Sequence, residues 1–432
     1  MDRSRLWRLT IALTVLFSAG HESVAQEAPR INCEAAHQRD LALAPPRTGP
    51  LKLRTVYCQR IRATLFRLGV PVVSPNGQWI AYLENDAILR IAQLGNSDSW
   101  IEHQTEMGVF ARFGRSLRSL PAIAWASDSQ SVWAGHHDAE QPSRFATSPL
   151  QPLAVTDDGR ALTLPPLQHE AGPLDGLLWA DGDGLAVAQF GTRGGYYRPD
   201  HLDPNPSFAI IDVRRGIVRQ SLAFAAIEAL KDRVKGASPQ ALIRNATATR
   251  LADGKVRTLI DVGQWIVWTE GQAPLALANP YTADVDGHIV MSPDGSRVLV
   301  ARLLRVQETI CERSRSCPAH APAEPVEGVL AAMHDIKDGH LLWSIRATVS
   351  RNYELPVPAI SPDGRFALIA LPPDGTGPLL IALVALDDGK IVHTIPSPGA
   401  PAAMGFARGG ELVWTHAHGL TALYDVQPNR PQ

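Results

Sequence analysis

The stretch GTRGGYYRPDHLDPNP (191–206) gathers side chains suited to recognition. Tyr196 and Tyr197 offer flat amphipathic contact area, and Arg198, Asp200 and His201 add charged hydrogen-bonding groups. That mixture suits a peptide, glycan or protein partner, because aromatic and arginine side chains carry much of the energy at such contacts. A structured surface loop punctuated by Gly and Pro has the same composition. SRNYE (350–354) supplies a second set, Arg351, Tyr353 and Glu354. His136, His137, His201, His416 and His418 would bind a metal through neutral imidazole nitrogens if they converged. Adjacent histidines on a strand point to opposite sides, however, and residues 416 and 418 share a side only on a regular strand. They read as surface histidines, and no metal or other cofactor is expected.

There are 4 cysteines, Cys33, Cys58, Cys311 and Cys317, and no Cys-x-x-Cys pair. In an oxidising compartment the economical pairing is 33–58 and 311–317, each closing a local loop. The second loop carries Arg313 and Arg315. No Gly-x-Ser-x-Gly nucleophile elbow occurs, so no catalytic residue is assigned.

The ends and the composition narrow the setting. Arg3, Arg5 and Arg8 precede a short apolar stretch, Leu9 to Ala19, and Ser23-Val24-Ala25 offers small residues for cleavage. This is the pattern of a Sec-type signal peptide over residues 1–25. The apolar stretch spans roughly 16 Å as a helix, about half a bilayer core, so the chain is expected to be periplasmic or secreted and not membrane-spanning after cleavage. With a formal net charge of −2, the 432-residue chain lacks the basic surplus that phosphate neutralisation requires, which excludes a nucleic-acid partner.

Stepping along the chain, one unit recurs: an apolar strand, a polar turn of the Ser-Pro-Asp-Gly kind, and a second apolar strand. It appears at 72–83, 122–135, 176–190, 289–301, 359–370 and 403–416. Asp and Asn accept hydrogen bonds from nearby amides, and Gly takes the positive φ that a tight hairpin needs. A second hairpin follows in AIIDVRRGIVRQSL (209–222), AAMHDIKDGHLLWSI (331–345) and IALVALDDGKIVHTI (381–395), with a weaker copy at 152–164. Two hairpins make a four-stranded antiparallel sheet. The fold expected is therefore all-β, a single β-propeller of about seven four-stranded blades with short helical insertions. It covers residues 51–428, after an N-terminal extension over 26–50. The fourth repeat, 225–285, is irregular: it opens with a helix over 224–235, and its strand order stays open. The last shows three strands, so the segment near 52–68 is expected to supply the fourth and close the ring.

These hairpins resemble the WD-repeat-like and TolB-type β-propellers of bacterial envelopes, from about residue 70 onward. They also resemble the propeller domain of prolyl-oligopeptidase-class serine peptidases, with no hydrolase domain expected. The resemblance implies a fold and leaves function open, since such propellers serve as scaffolds, ligand readers and enzyme domains.

Strand order localises the variable surface. With strands a to d running outward, the a–b and c–d turns lie on one face and are tight. The longer segments, 135–148, 191–206 and 302–328 between b and c, with 224–245 and 347–357 between d and a, lie on the other. Long loops on a rigid scaffold are where binding residues sit. The leading expectation is a non-enzymatic propeller that binds an envelope protein or peptide through that face. The alternatives are a propeller enzyme or metal-dependent small-molecule binder at the central channel, and a degenerate peptidase propeller that keeps substrate binding only. Repeated turn residues such as Asp294, Gly295, Asp363 and Gly364 are assigned to turn geometry. Trp79, Trp125, Trp133, Trp179, Trp343 and Trp414 are assigned to packing between blades.

Overall fold

Strands of period two, buried on both faces, account for the architecture. In the computed structural model, β10 (Leu185–Phe190) is buried at every position. A strand with neighbours on both faces reads as a continuous apolar run rather than an alternating one. The structure describes residues 51–58, 71–84, 88–94, 100–104, 123–135, 150–155, 174–190, 207–231, 245–281, 287–302, 304, 325–349, 355–372, 379–397, 403–417 and 420–427.

Antiparallel sheets follow one another along the chain. Sheet I comprises β2 (Val72–Val73), β3 (Trp79–Glu84), β4 (Ile88–Gln93) and β5 (Trp100–Gln104). Sheet II comprises β6 (Ile123–Trp125), β7 (Ser131–Gly135) and β8 (Leu150–Ala154). Sheet III comprises β9 (Leu174–Ala180), β10, β11 (Ser207–Asp212) and β12 (Ile217–Ala223), followed by helix α1 (Phe224–Lys231). Sheet IV comprises β13 (Asn245–Arg250), β14 (Val256–Asp261), β15 (Trp265–Thr269) and β16 (Leu275–Leu277). Sheet V comprises β17 (Gly287–Met291), β18 (Arg297–Arg302), β19 (Val326–Asp335) and β20 (Leu341–Val349). Sheet VI comprises β21 (Ala359–Ile360), β22 (Phe366–Leu371), β23 (Leu380–Ala385) and β24 (Ile391–Pro396). Sheet VII comprises β25 (Ala403–Ala407), β26 (Leu412–Ala417) and β27 (Leu420–Val426), completed by β1 (Leu51–Cys58).

The molecule is an all-β propeller. Six four-stranded blades are present among the described residues, rather than about seven; sheet II has three strands there, and residues 156–173 beyond β8 lie outside the described set. Sheet IV, whose order the sequence left open, has the same sequential strand order as its neighbours. α1 covers the first part of the helix expected over 224–235; Phe224 and Ile227 bury its apolar side, with Phe224 stacked on Phe208 of β11 at 4.8 Å.

Each pair of consecutive sheets shares a hydrophobic cluster. Ile91 of sheet I meets Ile123 and Val132 of sheet II, and Trp133 of sheet II meets Phe190 and Ile211 of sheet III. Ile210 of sheet III meets Ile260 of sheet IV, and Leu259 of sheet IV meets Val298 of sheet V. Ile369 of sheet VI packs with Leu299 of sheet V, while its neighbour Leu368 packs with Val413 of sheet VII. Leu412 and Leu423 of sheet VII meet Ile80 of sheet I, which closes the circle. Successive residues of one strand thus serve opposite interfaces, and each fully buried Leu or Ile contributes about 1.5–3 kcal/mol. The six tryptophans assigned to packing all lie at such interfaces. Two also tie sheets together: Trp125 Nε1 donates to the Val72 carbonyl at 2.9 Å, and Trp343 Nε1 to that of Leu386 at 2.8 Å.

The closure of sheet VII joins the two ends of the described chain. β1 runs antiparallel to β27, from Leu51 opposite Val426 to Cys58 opposite Leu420, with a register shift between Leu53 and Thr55. Arg54 lies 3.4 Å from Asp425 across the pair.

Candidate functional site

The turns between first and second strands form one face of the ring, and their serine and acidic residues build the turns themselves. In sheet V, Ser292 Oγ donates to Asp294 Oδ1 at 2.5 Å and accepts from the Arg297 amide at 2.9 Å. Asp294 Oδ1 also accepts from the Ser296 amide at 3.0 Å. Ser361 and Asp363 repeat this in sheet VI, and Ser74 and Asn76 in sheet I. Gly77, Gly295 and Gly364 all adopt φ of 69°, the left-handed conformation that closes the turn.

The same turns are joined to one another. Arg408 in the sheet VII turn donates to the Pro75 carbonyl through its amide at 2.6 Å and to that of Asn76 through Nε at 3.2 Å. The Asn76 amide donates to Ser129 Oγ at 3.0 Å, and the Ser127 amide to Asp183 Oδ1 at 2.8 Å. Asp181 of sheet III faces Arg250 of sheet IV at 3.6 Å, and Arg257 Nη1 donates to the Gly295 carbonyl at 2.8 Å. Arg297 Nη1 reaches Asp387 Oδ1 of sheet VI at 2.8 Å. A side chain added at Gly410 in sheet VII would touch the Asp363 carboxylate.

Over the sheet V turn, between the turns of sheets IV and VI, lies a cleft of about 500 Å³. Ala252, Pro293 and Pro362 form its apolar steps, with Leu251 and Leu386; Arg250 and Arg297 bring positive charge, and Asp294 and Asp363 negative. Burial by itself would raise Asp294, but hydrogen bonds from Ser292 and Ser296 and the Arg297 charge hold it below the ordinary carboxylate value. Asp363 is lowered in the same way by Ser361 and Arg365, against burial. Both carboxylates are therefore ionised at neutral pH.

Two other constellations belong to the frame. Between sheets IV and V, His334 Nδ1 lies 3.0 Å from the Gly339 carbonyl and Nε2 lies 2.6 Å from Tyr281 Oη. A carbonyl only accepts, so Nδ1 carries the hydrogen and Nε2 accepts from the Tyr281 hydroxyl. Burial lowers the His334 value, chiefly, and pushes Tyr281 up to about 12 although Arg302 opposes it. Trp265 packs edge-on against the His334 ring at 5.2 Å, so the pair is an internal pin between sheets. On the outer turn of sheet V, Asp335, Asp338 and His340 place ligand atoms within 4.8 Å of one another. Their carboxylates cap that turn: Asp335 accepts from the Lys337 amide at 2.7 Å and Asp338 from the His340 amide at 3.0 Å.

Of the residues singled out in the sequence, Tyr196, Tyr197, Arg198, Asp200, His201, Arg351, Tyr353 and Glu354 lie outside the described residues. So do His136, His137, His418, Cys33, Cys311 and Cys317. Cys58 is the last residue of β1. His416 is no surface histidine: it is 3% exposed on β26, with Nδ1 2.8 Å from Thr421 Oγ1 of β27. Sequence reasoning missed Arg250 and Arg297, which flank the first turns of sheets IV and V and both line the cleft.

Fold and cleft together define a β-propeller with a small charged recess on its tight-turn face. No protein-family model matches this sequence, and no curated protein is significantly similar to it. No helix among the described residues is long and apolar enough to cross a membrane.

Proposed function

We propose that this chain is an exported propeller of the WD-repeat-like or TolB type that binds a protein or peptide partner through its long-loop face and catalyses nothing. In this reading residues 1–25 direct export to the periplasm or beyond, Cys33 pairs with Cys58 and Cys311 with Cys317, and sheet II is a seventh blade. The observation that carries it is the commitment of the turn serines, Asp294 and Asp363 to building the turns, and of Asp183 to bracing a neighbouring one. Those polar side chains serve the scaffold, which leaves variable recognition to the b–c and d–a segments, including 191–206 and 350–354. Tyr196, Tyr197 and Tyr353 are the anchors in this proposal, with Arg198, Asp200, His201, Arg351 and Glu354 around them.

A photo-cross-linking amino acid placed at 197 or 353 in cells, with one at Ile391 on an outer strand as control, tests this. A discrete adduct at 197 or 353 and none at 391 is expected. Absence of adducts at both loop positions, or the same adducts at all three, would overturn the reading.

A further inference from the structure

The cleft over the sheet V turn has hydrogen-bonding capacity of one kind to spare. Its two carboxylates are occupied: Asp294 Oδ2 accepts from Ser296 Oγ at 2.6 Å in addition to the bonds on Oδ1, and Asp363 Oδ2 accepts from Arg365 Nε at 2.5 Å. Its two guanidinium groups are not. Among the described residues Arg297 uses Nη1 alone, toward Asp387 and the Leu386 carbonyl. Arg250 makes no hydrogen bond among the described residues, and its side chain is 48% exposed. Among the described residues its ion-pair partner is Asp181, whose Oδ2 is buried, makes no hydrogen bond there and stands 3.6 Å from Arg250 Nη1. Arg250 and Arg297 both line the cleft, and Arg250 is held at its sheet III side by that long ion pair alone among the described residues. A guanidinium fork fits a planar two-oxygen acceptor best.

We propose that this cleft binds a carboxylate, held between Arg250 and Arg297, with the apolar part of the ligand on Pro293, Pro362 and Leu251. The flanking charges of Asp294 and Asp363 favour a single negative charge over a phosphate dianion. A cavity of about 500 Å³ suits a small ligand or the end of a chain. The carboxylate comes either from a peptide C-terminus or from a free organic acid. This site lies on the tight-turn face and does not rest on the partner proposed for the b–c and d–a segments.

Calorimetric titration of the full-length protein, without any partner, tests the assignment. The probes are N-acetyl-leucine, a hexapeptide ending in leucine, and the C-terminal amide of each. At least one acid is expected to bind saturably and its amide about tenfold more weakly, with a similar loss in Arg250→Gln and Arg297→Gln. Arg250→Lys keeps the charge and loses the fork, so it is expected to bind more weakly than wild type. Tighter binding of the hexapeptide assigns the site to peptide ends, and equal or tighter binding of N-acetyl-leucine to small acids; either supports carboxylate recognition. Amides binding as well as acids, both glutamine variants binding like wild type while melting normally, or no saturation by either acid at about 10 mM would overturn it. Failure here leaves the loop-face proposal standing, because that cross-link is read elsewhere on the molecule.

Discussion

Asp181 occupies the turn position that serine fills in sheets I, V and VI. Its Oδ1 accepts from the Asp183 amide at 2.7 Å and the Leu185 amide at 2.9 Å, so it performs the serine's backbone role. The second oxygen is buried, and that burial is the main cause of a carboxyl raised above its ordinary value of 3.8, against those two bonds and the Arg250 charge. A carboxyl raised by folding costs stability when ionised, and the cost fades as pH falls through the raised value. Asp181→Asn keeps the accepting oxygen and removes the buried charge. Its melting temperature is expected to exceed wild type by about 2–4 °C at pH 8, with the advantage shrinking toward pH 4. Scanning fluorimetry across that range checks it; a variant less stable at both ends would give the Arg250 ion pair the larger share. Asp294 and Asp363 have the opposite sign. Their lowered values mean that stability is present above 3.8 and lost as pH falls through the folded values.

At the scale of the element, the turns act as both hairpin closures and braces between sheets, and two glycines separate those jobs. Gly364 has φ of 69° and open space where a side chain would go, so Gly364→Ala meets only backbone strain, about 1–2 kcal/mol. Gly182 has φ of 75° and lies against the Trp125 carbonyl of sheet II, so a methyl group there collides with a neighbouring strand as well. Gly182→Ala is expected to cost at least twice as much as Gly364→Ala in denaturant unfolding. Equal losses would mean that sheets II and III are not in the contact described. Trp343 does for the outer strands what these turns do inside: it is 8% exposed, packs against Val384 and donates to the Leu386 carbonyl. Trp343→Phe removes that bond and is expected to cost about 1–3 kcal/mol, read from the same unfolding curves.

On the scale of the whole molecule, a ring of sheets has no terminus inside it, so its stability depends on the strand that joins the ends. β1 covers the outer edge of β27, and Leu51 and Leu53 pack into the cluster between sheets VI and VII. Replacing both with aspartate removes apolar contact and buries charge at that seam. The expected result is a loss of several kcal/mol, with aggregation on heating as the edge of β27 is released. Melting followed by light scattering checks it. A double variant that melts like wild type and scatters no more light on heating would show that the seam is not where the ring is held.

The amino-acid sequence by itself determined the strands, the turns and the propeller, because each depends on local chemistry: period-two apolar residues, a serine and an acid two positions apart, and a glycine at positive φ. The tryptophans were legible as packing for the same reason, since each sits in or beside a strand whose neighbours are fixed by the repeat. The number of four-stranded blades was not, and neither was the regular order of sheet IV, whose turns are Leu-Ala-Asp-Gly and Thr-Glu-Gly rather than the recurring form. Tertiary structure alone decided the cleft. Arg250, Arg297 and Asp363 belong to three different sheets and no sequence period links them; the ring sets their turns side by side. It also decided that His416 is buried and that His334 meets Tyr281 from 53 residues away, because burial and contact across a seam are properties of how sheets pack and not of any one strand.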